Sequence, residues 1–254
     1  MDILTDAPGK KIFLLYPHSV IRDEMLDVLI MAGYETYTLV DEKKAVKLLI
    51  KFPGSIMFIN IDEGLKEDEW EAFVRAIHVS PKTKGTRLGI MSYNQDTILM
   101  KKYLMDLEIS CGYIQLKLGL QESTRIILSA LEAIEARGRR NSIRANCEDD
   151  KSAALNYKAD KAVFHGKILD ISAAGIAAKF DNLPEYPDNS LLRSVQLKLR
   201  SGIVMTDMIL VGQRPNEKNT QIMLFDPKIS MESKLVIHQY IKHCLQKYID
   251  GLNI

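Results

Sequence analysis

The sequence predicts two domains of different class. A doubly wound α/β domain with a five-stranded parallel sheet is expected over residues 1–136. A β-rich domain closed by a C-terminal helix is expected over 137–254. Two patterns carry this. From residue 11 to about 137, short apolar runs alternate with amphipathic segments. Beyond 140, apolar and polar residues alternate one by one in short runs separated by polar turns. A chain of 254 residues, 46% hydrophobic, is long enough and apolar enough for two cores.

In the first half, the apolar runs are 12–16, 35–39, 55–61, 87–92 and 112–117. Most are nearly continuous in apolar residues, as in parallel strands covered on both faces. Helices are predicted at 19–32, 42–51, 66–78, 95–108 and 121–137. The last carries Ile126, Ile127, Ala130, Leu131 and Ile134 at helical spacing. Five strands alternating with five helices imply a doubly wound sheet.

In the second half, Ile143, Ala145 and Cys147 alternate as on a strand. Further strands are predicted at 163–171, 175–180, 192–199, 203–211 and 221–225. Polar stretches at 182–189, 200–202 and 214–219 read as turns. Many short strands with turn signals suggest a sandwich or a barrel. The segment 231–250 places Leu235, Ile241, Leu245 and Ile249 near helical spacing and is expected to pack on the β-domain as core.

The formal net charge is +1, so no bulk field favours nucleic acid. The basic cluster at 137–144 is local, and Glu148, Asp149 and Asp150 follow it. Three scattered cysteines, Cys111, Cys147 and Cys244, form no C-x-x-C and read as reduced, buried residues. The five histidines are also dispersed, so no metal site is assigned. No charged-then-apolar leader and no membrane-length apolar run is present. A soluble cytoplasmic protein without membrane insertion is the expectation.

Two motifs carry the chemistry. Arg139-Arg140-Asn141-Ser142-Ile143-Arg144 contains an R-x-x-x-R spacing, and Asp170-Ile171-Ser172-Ala173-Ala174-Gly175 is a D-x-S-x-x-G. An arginine fork pairs bidentately with phosphate oxygens and also matches or stacks on guanine. On a strand, Asp170 and Ser172 share one face. A carboxylate there accepts from a guanine N–H edge, and a hydroxyl donates or accepts beside it. Gly175 permits either a positive φ or a close approach by backbone or ligand.

In this order and at this separation the motifs resemble the signature of the PilZ family, bacterial receptors for cyclic di-GMP. The resemblance covers 137 to roughly 250 and implies a six-stranded antiparallel β-barrel. It also implies that Arg140 and Arg144 contact the phosphates and a guanine, with Arg139 as a second cationic plane for stacking. The residue before the first motif arginine influences whether one ligand or an intercalated pair binds, and here it is Arg139. Asp170 and Ser172 would read a guanine edge, and Gly175 would shape the turn below it.

The first half resembles the receiver domain of response regulators in pattern more than in identity. Lys117, at the end of the fifth predicted strand, occupies the usual lysine position, and Ser92 ends the fourth. The acidic site is missing: Tyr16-Pro17-His18 follows the first strand, and the phosphoacceptor position aligns with Asn60. Mg²⁺ usually needs one or two carboxylates there. The half therefore reads as a pseudo-receiver, with Asp62, two residues past Asn60, as the alternative phosphoacceptor. Such a fold presents packed helices of the kind that make homodimers or bind other proteins.

These readings predict a cyclic di-GMP receptor that acts through an unnamed protein partner. The arginine arm, 137–144, joins the two domains. Ligand phosphates would neutralise it, fold it onto the barrel and reset the interdomain angle. The rival classes are a response regulator switched at Asp62 and an adaptor with a vestigial nucleotide pocket. No nucleophile–base pair, phosphate-cradling glycine loop or metal-ligand spacing points to an enzyme, and no cofactor is expected. Motility, adhesion, envelope biogenesis and virulence are all processes such receptors control.

Overall fold

The structure is a computed structural model that describes residues 9–138, 142–159, 162–182, 186–215 and 217–254. The chain forms two compact units, the second of which is Ser142–Asp250.

The first unit contains the strands β1 (Ile12–Leu15), β2 (Thr36–Leu39), β3 (Ile56–Asn60), β4 (Arg87–Ser92) and β5 (Tyr113–Gln115). They form one parallel sheet in the order β2-β1-β3-β4-β5. This is the flavodoxin-like doubly wound order. Its helices are α1 (Ser19–Met31), α2 (Glu42–Lys51), α3 (Glu67–Val79), α4 (Thr97–Lys101) and α5 (Leu120–Ala133). Every residue of β1 and β3 is buried, which explains their unbroken apolar runs. Met25 and Leu29 of α1 and Ile127 and Leu131 of α5 pack with Ile12, Leu14, Ile56 and Phe58 in one core.

Two predicted helices differ in detail. The segment expected to be helical over 95–108 holds α4 and then a π-helical turn, Lys102–Asp106. In that turn the Leu107 amide donates to the Lys102 carbonyl, five residues back. The helix expected to reach 137 ends at Ala133, and Glu135 follows with φ of 49°. A left-handed residue after a helix closes it. The chain thus leaves α5 before Arg137, whose guanidinium lies over the Tyr34 ring, 5.1 Å from its centroid.

The second unit contains β6 (Arg144–Asn146), β7 (Ala154–Ala159), β8 (Ala162–Ser172), β9 (Gly175–Phe180), β10 (Leu191–Leu199), β11 (Gly202–Gln213), β12 (Thr220–Phe225) and α6 (Met231–Asp250). Six antiparallel strands close a barrel through the pairs β8–β7, β7–β10, β10–β11, β11–β12, β12–β9 and β9–β8. The short β6 pairs only with the C-terminal end of β8. The barrel and its strand number match expectation, but the membership differs. The expected set holds the β6 segment in place of β7, although Leu155 and Tyr157 alternate in β7 with Asn156 and Lys158.

Inward residues alternate along the strands. On β11, Val204, Thr206, Met208 and Leu210 are buried in succession. Helix α6 packs on β11 and β6 with Ile237, Tyr240, Ile241, Cys244, Leu245 and Ile249. Leu235, expected in that core, is exposed instead, one position off the buried stripe. The Tyr240 hydroxyl donates to Asp150 Oδ2 at 2.7 Å. Burial and that bond push the phenol well above its ordinary pKa. All three cysteines are free and buried.

Helix α2 gives one stability test. Asp41 caps it, accepting from the Lys43 and Lys44 amides at 2.8 and 3.0 Å, and the Lys44 amide is the main cause of its lowered pKa. Asp41→Ala is expected to cost about 1 kcal/mol in chemical denaturation. A depressed folded pKa gives stability that is complete above the ordinary carboxylate range. The difference between wild type and variant is therefore expected to shrink as pH falls through that depressed value.

Candidate functional site

The site in the second unit is set by β8. Against β9 its register shifts between Ile168 and Asp170, leaving Leu169 as an extra residue. Strict alternation from Gly166 and Ile168, both buried, would carry Asp170 into the barrel. The bulge turns the phase, so that Ile171 points inward and Asp170 is half-buried on the outer face.

β6 adds the next residues to that face. Arg144 stands opposite Ser172, Ala145 opposite Ile171 and Asn146 opposite Asp170. Directly opposed residues in an antiparallel pair project to the same side. Ala145 and Ile171 are fully buried. Arg144, Asn146, Asp170 and Ser172 therefore share the other face, with Arg144 exposed at its edge.

The D-x-S-x-x-G residues divide their work. The Ser172 hydroxyl accepts from the Ala174 and Gly175 amides at 3.2 and 3.3 Å and donates to the Gly175 carbonyl at 3.2 Å. Its one proton and both lone pairs are thus engaged by the β8–β9 turn. Gly175 is not among the positive-φ glycines. Of the two reasons for a glycine there, close approach is the one seen. A Cβ would lie 2.1 Å from the Met223 carbonyl oxygen and 2.9 Å from Leu224 Cα, backbone atoms of β12. The Ala174 carbonyl also accepts from the Phe225 amide at 2.9 Å.

Asp170 has a partner that the sequence did not suggest. The Arg214 guanidinium forms an ion pair with Asp170 Oδ2 and also reaches Glu217 at 3.3 Å. Arg214 follows a second bulge, where β11 shifts register against β12 between Leu210 and Gly212. Gly212 has φ of 147°, a conformation that favours glycine. Although burial works against its charge, the bonds to Asp170 and Glu217 hold the Arg214 pKa above its usual value. A single arginine in a polar turn gives no sequence signal of this pairing. Arg139 and Arg140 lie outside the described residues, so the structure places Arg144, Asp170, Ser172 and Gly175 of the expected set.

In the first unit, Asn60 and Ser92 stand at the C-terminal ends of β3 and β4. Asn60 ends β3 fully buried, its amide donating to the Tyr16 carbonyl at 2.9 Å. Tyr16 packs against Trp70 and over Gly64, where a Cβ would lie 2.7 Å from its ring. Burial and the neighbouring Glu42 raise its pKa to about 12. The Tyr16 ring thus fills the space over Gly64, while its backbone carbonyl holds Asn60. Asp62 is exposed. Its two oxygens accept from the Ser92 hydroxyl and the Tyr93 amide, each at 2.6 Å. Lys117 is exposed on the turn after β5. Among the described residues, no group of three or more His, Cys, Asp or Glu could hold a metal ion, and no helix is long and apolar enough to cross a membrane.

No family model and no curated protein matches the chain. Solved structures do resemble its two parts. The PilZ domain of YcgR from Escherichia coli, determined with c-di-GMP, is 15% identical over 45% of this chain and 99% of its own, with a TM-score of 0.37. The K. pneumonia MrkH–c-di-GMP complex is 20% identical over 40% of this chain and 50% of its own, with a TM-score of 0.33. The match thus spans half of MrkH. A signal receiver domain of an HD domain-containing protein from Pseudomonas fluorescens Pf-5 is 19% identical over 51% of this chain and 99% of its own, with a TM-score of 0.41. The receiver-like and PilZ-like architecture of the two units rests on strand order and register, not on these likenesses.

The close contact at Gly175 gives a direct test. Gly175→Ala must push β9 from β12, and overpacking of this kind costs roughly 1–3 kcal/mol. A lowered melting temperature is expected, with an intact variant overturning the assignment of Gly175 to close approach.

Proposed function

We propose that this protein is a cyclic di-GMP receptor, with the ligand bound on the outer face of the β6–β8 pair and gripped by the arginine arm. The observation that carries the reading is the β6–β8 register. It brings Arg144 of one motif opposite Ser172 of the other, with Asp170 on the same face. Arg140 and Arg144 supply cations for the phosphates, with Arg139 as a stacking plane. Asp170 accepts from a guanine edge, Ser172 fixes the turn beside it, and Gly175 lets that turn sit on β12.

Calorimetric titration of cyclic di-GMP into wild type, Arg140→Ala and Arg144→Ala tests this. Loss of one charge-assisted phosphate contact is expected to cost roughly 1.5–3 kcal/mol, more than tenfold in affinity. A wild type that gives neither heat nor thermal shift would overturn the reading and leave an adaptor acting through protein partners.

The signal is proposed to pass through the arm. Arg139 and Arg140 precede the second unit in the sequence and Arg144 lies on its first strand, β6, and two ligand phosphates would neutralise these like charges together. Ligand binding then changes the relation of the two units and the surface offered to a protein partner. Small-angle scattering with saturating ligand is expected to differ from the ligand-free profile, and identical profiles would count against this route.

Phosphorylation of Asp62 is the competing reading. Its carboxylate already accepts two 2.6 Å bonds, which draw it away from attack on a phosphoryl donor. Incubation with acetyl phosphate and Mg²⁺ is expected to leave the protein unlabelled. Incorporation that Asp62→Asn abolishes would establish a response regulator.

A further inference from the structure

We propose that Arg214, outside both motifs, is the positioning residue that makes Asp170 a reader of guanine. The inference rests on the cyclic di-GMP reading and names the residue that sets its base specificity. Two bulges converge on the pair. One turns Asp170 out of the barrel, and the other, with Gly212, precedes Arg214. The Arg214 amide is also tied across the β11–β12 hairpin, donating to the Thr220 carbonyl at 2.8 Å. Both members of the pair are only about one-fifth exposed, with side-chain exposures of 22% for Arg214 and 19% for Asp170.

The chemistry explains why such a pair belongs beside a ligand of this kind. A lone carboxylate next to two phosphates repels them. Arg214 cancels that charge without removing the acceptor. Its bond is to Oδ2, and a carboxylate has a second acceptor oxygen in Oδ1. A guanine offers N1–H and an amino group on one edge, and a carboxylate held in a fixed rotamer can accept from it. Adenine lacks the N1–H donor, so a positioned Asp170 discriminates between the two bases. Without Arg214 the carboxylate turns towards water and repels the ligand.

A double-mutant cycle read by calorimetry tests this in the full chain, with melting temperatures confirming that each variant folds. Arg214→Ala is expected to weaken cyclic di-GMP binding by more than tenfold, the scale of losing a charged partner. In an Asp170→Ala background the same change is expected to alter affinity by less than about twofold, because the residue it positions is gone. Arg214→Lys keeps the charge and is expected to recover part of the loss. Where Arg214→Ala fails to fold, Arg214→Gln takes its place. Cyclic di-AMP competition supplies the specificity readout, with the preference for guanine narrowing in Arg214→Ala. Wild-type binding that Arg214→Ala leaves unchanged or tightens overturns this inference alone, as does an equal loss in the Asp170→Ala background. A wild type that binds no cyclic di-GMP overturns the parent reading and this inference with it.

Discussion

The second unit depends on one strand. β8 is eleven residues long and pairs with three others. Its N-terminal part joins β7 and its C-terminal part joins β6 along one edge, while β9 runs along the other. The β8–β9 pairing closes the barrel, and the bulge at Leu169 lets the same strand serve two purposes. Before the bulge it buries Gly166 and Ile168 in the core. After it, Ile171 fills the core while the half-buried Asp170 and the buried Ser172 lie on the opposite face of the strand. Barrel closure and the candidate site are therefore one constraint. A register slip of one residue would exchange the core and site faces together.

The first unit keeps a receiver-like frame around an altered centre. Its sheet order and core need only continuous apolar strands covered by helices, and those are intact. Asn60, at the end of β3, is buried with its amide serving the Tyr16 backbone, and the Tyr16 ring covers Gly64. These groups cost the fold little because each finds a partner, the Tyr16 hydroxyl in Glu42 and the Asn60 amide in the Tyr16 carbonyl. Asp62 ties the loop after β3 to the end of β4, through Ser92 and Tyr93. A carboxylate used in this way serves loop structure.

The parts of the fold that periodicity encodes were legible in the sequence. The apolar runs of β1 and β3, the amphipathic α2 and the start of α6 fall within a residue or two of expectation. The misses have local physical causes. β7 follows a turn rich in charge, so its alternation at Leu155 and Tyr157 stands out weakly. The end of α5 depends on a left-handed Glu135, which no residue preference announces. At the site, the motifs name Arg144, Asp170 and Ser172, which the β6–β8 register sets on one face, but not how they divide their roles. Ser172 reads as a ligand donor in one dimension, whereas three bonds commit it to the turn. Arg214 was invisible because its pairing with Asp170 spans 44 residues and needs two bulges to form.

This division of roles separates affinity from specificity. The cations that would hold the phosphates lie on the segment 137–144, of which Arg144 is seated on a strand of only three residues. Their attraction is strong, weakly directional and screened by salt. The residues that would read the base are fixed in another way. Asp170 stands on a strand paired on both sides and is held by an ion pair, and the adjoining turn is locked by Ser172 and seated on β12 through Gly175. A group held by paired backbone and a charged partner loses little freedom on binding, so its hydrogen bonds contribute more fully to discrimination. A weakly directional source of charge beside a rigid reader can collect an anionic ligand first and select its base second. In that arrangement, salt should weaken binding while leaving the preference for guanine largely intact.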